Sequence, residues 1–498
     1  MREPNRISEG IPAPGPCGSA PDAPGPAIPG PAALRVTDPL GRVVVLTTVL
    51  GSGVALLDST IVNVALPTIG RDLGADLAGL QWVVSAYALT LAALILLGGS
   101  LGDRFGRRRT FSWGVAGFGL ASVLCALSPN IETLVGARAL QGVAAALLTP
   151  GSLAILQASF HPADRMRAIG VWTGSLSIAA ASGPLIGGWL VDYSWRWVFW
   201  VNVPLCALVI VLAARYVPES RNPSASHQID VQGVLLGALG LAGVTYALTA
   251  WPDHGLDALT GVTGGGGVLA LGAFIFAERR SHHPMLPTSL FNSRTFSVIN
   301  VVTFAVYAAL SGTFLFLVLF LQVVSGWPAL QAGAATLPLS LVMLLLASRF
   351  GALATRIGAR PLMIAGPLTA ATGLALLSLS PSQPSYAQHV LPGVTLLGLG
   401  LAMTVAPLTG SVLAAAPDEL AGTASGVNNA VARTAGLIAV AALPVIVGLS
   451  GNQYADAASL APAYRSALLI CAAIMAAGAA LTALGLPRTH KQPAVAAA

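Results

Sequence analysis

The chain has 498 residues, of which 55% are hydrophobic and only 9% are charged, with a formal net charge of +6. This number of charged side chains is too small to cover the surface of a water-soluble protein. The composition therefore excludes the soluble globular classes and indicates an integral membrane protein. Apolar stretches of helical length recur along the chain, whereas the short alternating segments of a transmembrane barrel are missing.

The first 40 residues are rich in Pro, Ala and Gly and contain no apolar core. This composition is typical of a disordered segment and not of a cleaved signal peptide, so we expect a disordered cytoplasmic tail over 1–40. The first membrane span would then act as its own insertion signal.

Fourteen stretches after this tail are apolar and long enough to cross a bilayer as helices. They lie near 43–66, 80–101, 110–128, 133–158, 168–191, 197–215, 231–250, 260–277, 297–321, 330–353, 361–380, 387–407, 424–449 and 464–486. The spans 260–277 and 387–407 are the least regular, because the first contains glycines at 264–267 and the second contains Pro392. The sequence therefore predicts an all-α membrane protein with 14 transmembrane helices.

Basic residues are distributed unevenly between alternate loops of this arrangement. With the N-terminus inside, only Arg71, Arg196 and Arg465 of the 25 Lys and Arg residues fall in outer loops. Because Lys and Arg collect on the cytoplasmic side of a membrane, both termini are expected to be cytoplasmic.

The inner loop between the second and third spans holds a dense charged motif, GGSLGDRFGRRRT at 98–110. A basic inner loop follows from topology alone, but topology requires neither Asp103 nor Gly106. The chain reads RFGALATRIGAR at 349–360, and an offset of 252 residues aligns Gly106 with Gly358, while Asp103 falls on Thr355. The same kind of loop therefore recurs with its acid lost.

This internal repeat divides the chain into units. We expect a six-helix bundle over 41–220, two inserted helices with linkers over 221–290, a second six-helix bundle over 291–487 and a cytoplasmic tail over 488–498. Repeats related in this way suit a transporter whose halves rock about a central site.

Four motifs resemble those of the major facilitator superfamily, in its fourteen-helix branch of drug/proton antiporters. They are LDSTIVNVALPTIG at 57–70, GSLGDRFGRRRT at 99–110, LVGARALQGVAAA at 134–146 and SGPLIGGWLVDYSWRWVFWVNVP at 182–204. The resemblance covers 43–486 and implies the major facilitator fold, with two six-helix bundles plus two inserted helices. GTASGVNNAVARTAG at 422–436 also resembles a recurrent feature of this branch, and no separate role is attached to it.

Asp58 is the only carboxylate well inside a predicted span. Because an ionised acid at membrane depth is costly, we expect Asp58 to bind and release a proton, unless it lies close enough to the outer end to cap a loop or contact water. Arg138, in the fourth span, needs a carboxylate, carbonyls or an aqueous cavity around it. The resemblance implies that this arginine contributes to proton coupling beside Asp58, and a fixed strut between helices is the alternative. Gln141 lies on the same helix face and could share either role.

Two further groups of residues are expected to act in conformational change. The resemblance implies a pliable, closely packed fifth helix, with generic helix packing as the alternative; its residues are Ser182, Gly183, Pro184, Gly187 and Gly188. The charged loop is expected to act as a latch, in which Asp103 faces a helix N-terminus or pairs with Arg104 or Arg107, and in which movement of the two halves makes or breaks those contacts. The expected latch residues are Gly99, Asp103, Arg104, Gly106, Arg107 and Arg108.

The sequence lacks the motifs of a hydrolase or a nucleotide-driven pump. GGSLG at 98–102 matches the GxSxG pattern, but it lies where a helix meets a loop and not at the strand-to-helix turn that a hydrolase requires. The sequence also contains no HExxH zinc motif and no P-loop lysine motif. No enzyme activity, metal site or cofactor is expected.

The function expected is secondary active export of a lipophilic small molecule in exchange for protons, by alternating access. A proton-coupled importer of a nutrient or metabolite is the main alternative, and a non-transporting membrane scaffold is a third. Neutral, weakly cationic or zwitterionic compounds such as antibiotics are the expected substrates. Candidate cavity walls are Trp113, Trp172, Phe304, Tyr307 and Phe316, and the alternative for each is an aromatic side chain that faces lipid or packs between helices. The expected partners are protons, a hydrophobic substrate and the lipid bilayer of a bacterial plasma membrane, with no nucleic acid and no indication of an oligomeric state.

Overall fold

The computed structural model describes residues 34–221, 230–255, 257–281, 286, 288–416 and 421–487. Most of the predicted N-terminal tail and the whole of the tail over 488–498 lie outside these residues. Within the described ranges the chain is helical, and its one extended pairing is an isolated bridge between Leu34 and Phe160.

Seven helices form the first half of the chain and two more follow as an inserted pair. The first seven are α1 (Pro39–Leu73), α2 (Leu77–Phe105), α3 (Arg107–Ala126), α4 (Ile131–Ser159), α5 (Pro162–Tyr193), α6 (Trp197–Trp200) and α7 (Asn202–Tyr216). The inserted pair consists of α8 (Val231–His254) and α9 (Ala258–Arg280).

The second half also contains seven helices, together with short turns of tighter or wider helix. The helices are α10 (Arg294–Leu319), α11 (Ala329–Ala334), α12 (Leu337–Ile357), α13 (Ala359–Ser378), α14 (Leu391–Ala414), α15 (Ala421–Ile446) and α16 (Ala457–Gly485). The turns are 3₁₀ turns at Thr288–Asn292 and Gly451–Ala455 and π turns at Phe320–Val324 and Tyr386–Val390.

The number of membrane-spanning segments agrees with the sequence prediction. Among the described residues, 13 helical segments are long and apolar enough to cross a membrane. The fourteenth predicted span is α3, whose first three residues are arginines and which packs along α4. The all-α class and the fourteen-helix arrangement are therefore confirmed.

Two spans predicted as continuous helices are interrupted. The span 197–215 breaks at Val201 between α6 and α7, and the span 330–353 breaks between α11 and α12. Pro204 and Pro338 follow these breaks, and neither can donate a hydrogen bond to the carbonyl four residues earlier. The hydropathy pattern could not detect these breaks, because both prolines lie within apolar runs.

The helices of the two halves pack in the same order. In the first half α2 and α3 pack on α4, α1 packs on α5, and α3 packs on α7; in the second half α12 and α13 pack on α14, α10 on α15, and α13 on α16. Gly106 joins α2 to α3 at φ 112°, and Gly358 joins α12 to α13 at φ 86°. The sequence repeat is therefore also a repeat of structure.

The inserted helices form a hairpin against both halves. Helix α8 packs along α9 and also contacts α2 and α15, which belong to different halves. The glycines that make the span 260–277 irregular lie partly in this contact, since a Cβ at Gly267 would lie 2.6 Å from the amide nitrogen of Val244. The glycine run therefore permits close helix packing and does not interrupt α9.

The two halves meet most extensively at one end of the bundle. We call it the Tyr454 end, after a residue of the 3₁₀ turn Gly451–Ala455 that lies there. Tyr454 Oη donates to Ala75 O at 2.6 Å, Gln81 Nε2 to Val440 O at 2.7 Å and Gln322 Nε2 to Val64 O at 2.9 Å. The larger hydrophobic core crosses between the halves at this end, whereas the fully buried members of the smaller core belong to the first half alone. The halves are therefore closed on each other at the Tyr454 end.

Candidate functional site

A buried ion pair joins α1 to α4. Arg138 Nη1 lies 2.5 Å from Asp58 Oδ2, and the two side chains are 1% and 0% exposed. Asp58 is therefore neither a loop cap nor in contact with bulk water in this conformation. Two opposite charges this close in a low-dielectric interior stabilise each other strongly, and removing either one leaves a costly unpaired charge.

Neutral side chains from three helices complete the shell of the carboxylate. Asp58 Oδ1 accepts hydrogen bonds from Asn202 Nδ2 at 2.8 Å and from Gln141 Nε2 at 3.0 Å. Ser122 Oγ in turn accepts from Gln141 Nε2 at 2.9 Å and from Asn202 Nδ2 at 3.3 Å. Both oxygens of the carboxylate thus accept hydrogen bonds from within the protein.

Arg138 has partners besides the acid. Its Nε donates to Val83 O at 3.0 Å, and its Nη1 also donates to Gln141 Oε1 at 2.5 Å. Its guanidinium carbon lies 4.3 Å from the centre of the Tyr87 ring, a distance suited to a cation–π contact. The arginine therefore links α4 to α1 and α2.

The break before α7 helps to build this site. Asn202 is the first residue of α7, directly after the break at Val201, and its side chain is completely buried. Sequence reasoning identified Asp58, Arg138 and Gln141 but missed Asn202 and Ser122. The available signal for Asn202 was an amide in an apolar run two residues before Pro204.

A cavity of about 480 Å³ lies between the two halves beside the ion pair. Arg138 and Tyr87 border it, whereas Asp58 does not. Its first-half wall comes mainly from α1 and α2 and its second-half wall from α10 and α15; the lining includes Leu56, Thr60, Asn63, Val84, Tyr307, Leu310, Ser311, Phe314, Asn428, Asn429, Arg433 and Leu437. The surface of the cavity is thus mostly apolar, with amides and hydroxyls among the apolar groups.

Of the aromatic residues predicted as cavity walls, Tyr307 alone lines this cavity. Trp113 and Phe304 are exposed side chains, Phe316 is buried in the larger core, and Trp172 packs against the smaller core. For these four the alternative of an aromatic side chain that faces outwards or packs between helices holds, because hydropathy alone does not show which face of a helix an aromatic residue occupies.

The glycines of α5 lie in two different helix contacts. A side chain at Gly183 would collide with Thr60 Oγ1, and a Cβ at Gly187 would lie 3.0 Å from the Ile61 side chain, so both glycines pack on α1. At Gly188 a Cβ would lie 2.8 Å from Ala329 O of α11, which belongs to the other half.

The other two residues of this motif are also placed by the structure. Pro184 is buried within α5, and its carbonyl oxygen lies against Gly333 of α11. Ser182 Oγ donates to Ala179 O of the same helix at 3.0 Å. The motif therefore lies where α5 meets both α1 and the second half.

Asp103 and Arg107 of the charged loop contact each other and α4 of the first half. Of the partners predicted for Asp103, the structure selects Arg107, whose Nη2 lies 2.8 Å from Asp103 Oδ1. Arg107 Nη1 also donates to Ala154 O of α4 at 3.3 Å. Arg104 lies over the Phe105 ring, at 5.1 Å from its centre. A Cβ at Gly99 would lie 3.8 Å from the Pro150 side chain of α4, an ordinary van der Waals distance.

The start of α3 is occupied by a different acid, Glu219. Glu219 Oε1 accepts from the backbone amide of Arg108 at 3.1 Å, and Oε2 lies 3.7 Å from Arg108 Nε. A Cβ at Gly106 would lie 2.7 Å from the same carboxylate. Two roles were predicted for Asp103, and one of them, binding at a helix N-terminus, is performed by Glu219 instead. Sequence reasoning missed Glu219 because it lies 116 residues further along the chain than Asp103.

Residues 48–441 match the family model described as Major Facilitator Superfamily. The chain belongs to this superfamily. It is 38% identical over 426 residues to the puromycin resistance protein pur8 of Streptomyces alboniger, covering 84% of this chain and 83% of the relative. It is 35% identical over 433 residues to the cephamycin export protein CmcT of Amycolatopsis lactamdurans, covering 86% of this chain and 89% of the relative.

A solved structure has the same fold at much lower identity. It is a bacterial homologue of the human lysosomal transporter Spinster in an inward-facing, unoccupied conformation, with a TM-score of 0.65 and 17% identity. The alignment covers 90% of this chain and 97% of the other. The resemblance to the superfamily and to its drug-resistance exporters is thus confirmed.

As a major facilitator protein, this chain is a multi-pass membrane transport protein and not an enzyme. In the described ranges, no group of three or more His, Cys, Asp or Glu side chains could hold a metal ion.

Proposed function

We propose that this protein exports hydrophobic small molecules, antibiotics among them, in exchange for protons and by alternating access. The observation that carries the proposal is the buried Asp58–Arg138 pair, whose arginine also borders the cavity between the halves. The relatives named for puromycin resistance and cephamycin export support the direction and the class of substrate.

Asp58 is the residue we propose to carry the proton. In the ionised state it is held by Arg138, Gln141 and Asn202. Protonation removes its charge and leaves the Arg138 guanidinium without a counter-charge at membrane depth, so Arg138 must find a new partner or water. Because Arg138 and Tyr87 line the cavity, this rearrangement changes the surface that a substrate contacts.

The proton gradient is sufficient as an energy source for this exchange. One proton supplies about 1.4 kcal/mol per pH unit and about 2.3 kcal/mol per 100 mV of membrane potential. A tenfold substrate gradient costs about 1.4 kcal/mol. One proton per neutral substrate, at one pH unit and 100 mV, therefore sustains a substrate gradient of roughly a hundredfold to a thousandfold.

Closure at the Tyr454 end supports one end state of the cycle. We propose that this end faces outwards, as the arginine distribution predicts, and that the bundles over 41–220 and 291–487 move against each other. Gly188 of α5 contacts α11 across this interface and would separate from it on opening. The latch residues would hold α2, α3 and α4 together while the halves move, since Asp103 pairs with Arg107 and Arg107 contacts α4.

Inverted membrane vesicles with an acidic interior test the proposal directly. Addition of a cephamycin should release protons from the vesicles and should concentrate the compound inside. Asp58→Asn should abolish proton release driven by the compound, because an amide cannot exchange a proton.

Asp72→Asn is the matched control, since Asp72 is an exposed carboxylate on the same helix. It should behave as the unaltered protein does. Co-movement of protons and compound in one direction would support the importer instead. Full gradient-driven transport by Asp58→Asn would overturn the assignment of Asp58.

A further inference from the structure

The cavity between the halves has an uneven charge. Among the described residues that line it, Arg138 and Arg433 carry the formal charges, and no carboxylate is present. The charge of Arg138 is matched by Asp58. Arg433 makes no hydrogen bond or ion pair within the part of the chain that the structure describes, so the cavity as a whole carries an uncompensated positive charge.

Arg433 lies far from either end of its helix. It is the thirteenth of the 26 residues of α15, so each helix end is roughly 20 Å away at about 1.5 Å per residue. A long side chain can extend past only a few residues, so its guanidinium cannot reach the membrane surface along α15. A guanidinium at this depth is retained only with water or an anionic partner around it.

The groups near Arg433 come from both halves. Tyr87 of α2 and Tyr307 of α10 line the same cavity as Arg433. Asn429, one helical turn earlier on the same face of α15, also lines the cavity. These groups together form a polar region in which an anionic oxygen could receive several hydrogen bonds.

Apolar side chains lie beside this polar region. Leu310 and Phe314 of α10 line the cavity, as does Leu437, one turn beyond Arg433 on α15. A ligand with an anionic group at Arg433 could therefore place an aromatic or aliphatic body against these three side chains. The planar guanidinium presents two parallel donors, which match a carboxylate better than they match a single neutral oxygen.

We infer that the cavity selects amphiphilic compounds that carry one carboxylate or a similar anionic group, which Arg433 binds. The sequence argument expected neutral, weakly cationic or zwitterionic substrates, because it treated Asp58 as the charge that a substrate meets. In the structure Asp58 lies outside the lining and Arg433 lies within it. The inference rests on the proposed function only in taking this cavity as the transport site, and binding itself requires no gradient.

Three fluorescent probes that differ in one terminal group test this selectivity: dansylglycine, dansylglycinamide and dansylethylenediamine, which end in a carboxylate, an amide and an ammonium. Their affinities are measured by fluorescence titration of the full-length protein in lipid nanodiscs at neutral pH. Dansylglycine should bind roughly ten- to a hundredfold more tightly than dansylglycinamide, as expected for a hydrogen bond to a charged group. Dansylethylenediamine should bind most weakly.

Substitutions at Arg433 assign this preference to one side chain. Arg433→Gln should abolish the difference in affinity between dansylglycine and dansylglycinamide. The variant should still bind dansylglycinamide, and this binding shows that it is folded. Arg433→Lys should retain part of the preference, because an ammonium keeps the charge but not the paired donors. Arg465→Gln, which removes an exposed arginine of α16, should leave the preference unchanged.

Equal affinities for the carboxylate and the amide in the unaltered protein would overturn the inference, as would absence of binding by all three probes. A preference that survives Arg433→Gln would also overturn it. The proposed function fails separately: carboxylate-selective binding without drug-driven proton movement in vesicles would contradict export and leave this inference intact. Proton-coupled export with no preference for the carboxylate probe would support the proposed function and contradict this inference.

Discussion

Arg108 and Arg360, at equivalent positions of the two repeats, make the same kind of contact. Arg108 Nη1 donates to Val217 O at the end of α7, at 3.2 Å, and Arg360 Nη2 donates to Ala483 O near the end of α16, at 2.6 Å. A guanidinium at a helix C-terminus satisfies carbonyls that the helix leaves free and complements the helix dipole. The repeated arginine therefore attaches the last helix of each half, α7 or α16, to the corresponding helix α3 or α13.

Gly106 lies at the junction of α2 and α3, and its substitution tests how closely that junction packs against Glu219. We expect Gly106→Ala to destabilise the protein by about 1–3 kcal/mol, because the residue has φ 112° and a Cβ would lie 2.7 Å from the Glu219 carboxylate. Gly102→Ala is the control, since Gly102 lies within α2 and no atom outside its own helix would lie within 4 Å of a Cβ there. Gly102→Ala should be neutral or stabilising by up to about 1 kcal/mol. Thermal unfolding of the purified variants measures both, and equal melting temperatures would contradict the account.

The two charged members of the buried cluster could be predicted, whereas most of the neutral members could not. Asp58 and Arg138 are recognisable because charges are rare in apolar spans and each must find a partner there. Ser122 and Asn202 gave no comparable signal, since neutral polar residues occur throughout membrane helices and their partners depend on tertiary packing. The same limit applies to Glu219, whose contact with the start of α3 joins distant parts of the chain.

Among the helices, α5 combines two packing roles along one face. Gly183 and Gly187 bring it close to α1 within the first half, and Gly188 brings it close to α11 in the second half. The first contact can persist while the halves move, but the second must separate if the Tyr454 end opens. The sequence motif predicted close packing of α5 but not which glycine contacts which half, because that depends on the rotation of the helix.

A methyl group at position 188 should weaken the contact between α5 and α11. Gly188→Ala would place a Cβ 2.8 Å from Ala329 O, and the backbone of α11 cannot move aside as a flexible side chain could. Overpacking of about 1–3 kcal/mol would shift the population away from the closed state roughly five- to 150-fold. Hydrogen–deuterium exchange of the α11 amides should therefore accelerate in Gly188→Ala. Gly174→Ala, in an open part of the same helix, should leave it unchanged; identical exchange in the two variants would contradict the prediction.

At the scale of the whole molecule, closure of the Tyr454 end depends on contacts that can be exchanged. The larger hydrophobic core joins the halves there, and hydrogen bonds from Tyr454, Gln81 and Gln322 cross the interface. Burial raises the pKa of Tyr454, and the nearby Asp76 carboxylate raises it further, against a smaller lowering by Arg71. A raised pKa keeps the Tyr454 hydroxyl protonated and able to donate its hydrogen bond. The contribution of this hydrogen bond to closure is therefore fully present below the ordinary tyrosine pKa of about 10 and is lost only as the pH rises beyond it.

Removing one of these hydrogen bonds should open the Tyr454 end measurably without unfolding the protein. A hydrogen bond of about 0.5–1.5 kcal/mol corresponds to a shift of roughly two- to tenfold between closed and open populations, so Tyr454→Phe and Gln81→Leu should each increase the open state by that factor. Spin labels at Glu132→Cys and Gln388→Cys, exposed positions in different halves, report the distance across this end. Tyr386→Phe is the matched control, because the Tyr386 hydroxyl makes no hydrogen bond within the described ranges. If Tyr454→Phe gave the same distance distribution as Tyr386→Phe at every pH below about 10, the Tyr454 hydrogen bond would not control closure, and apolar contact alone would hold the two halves together.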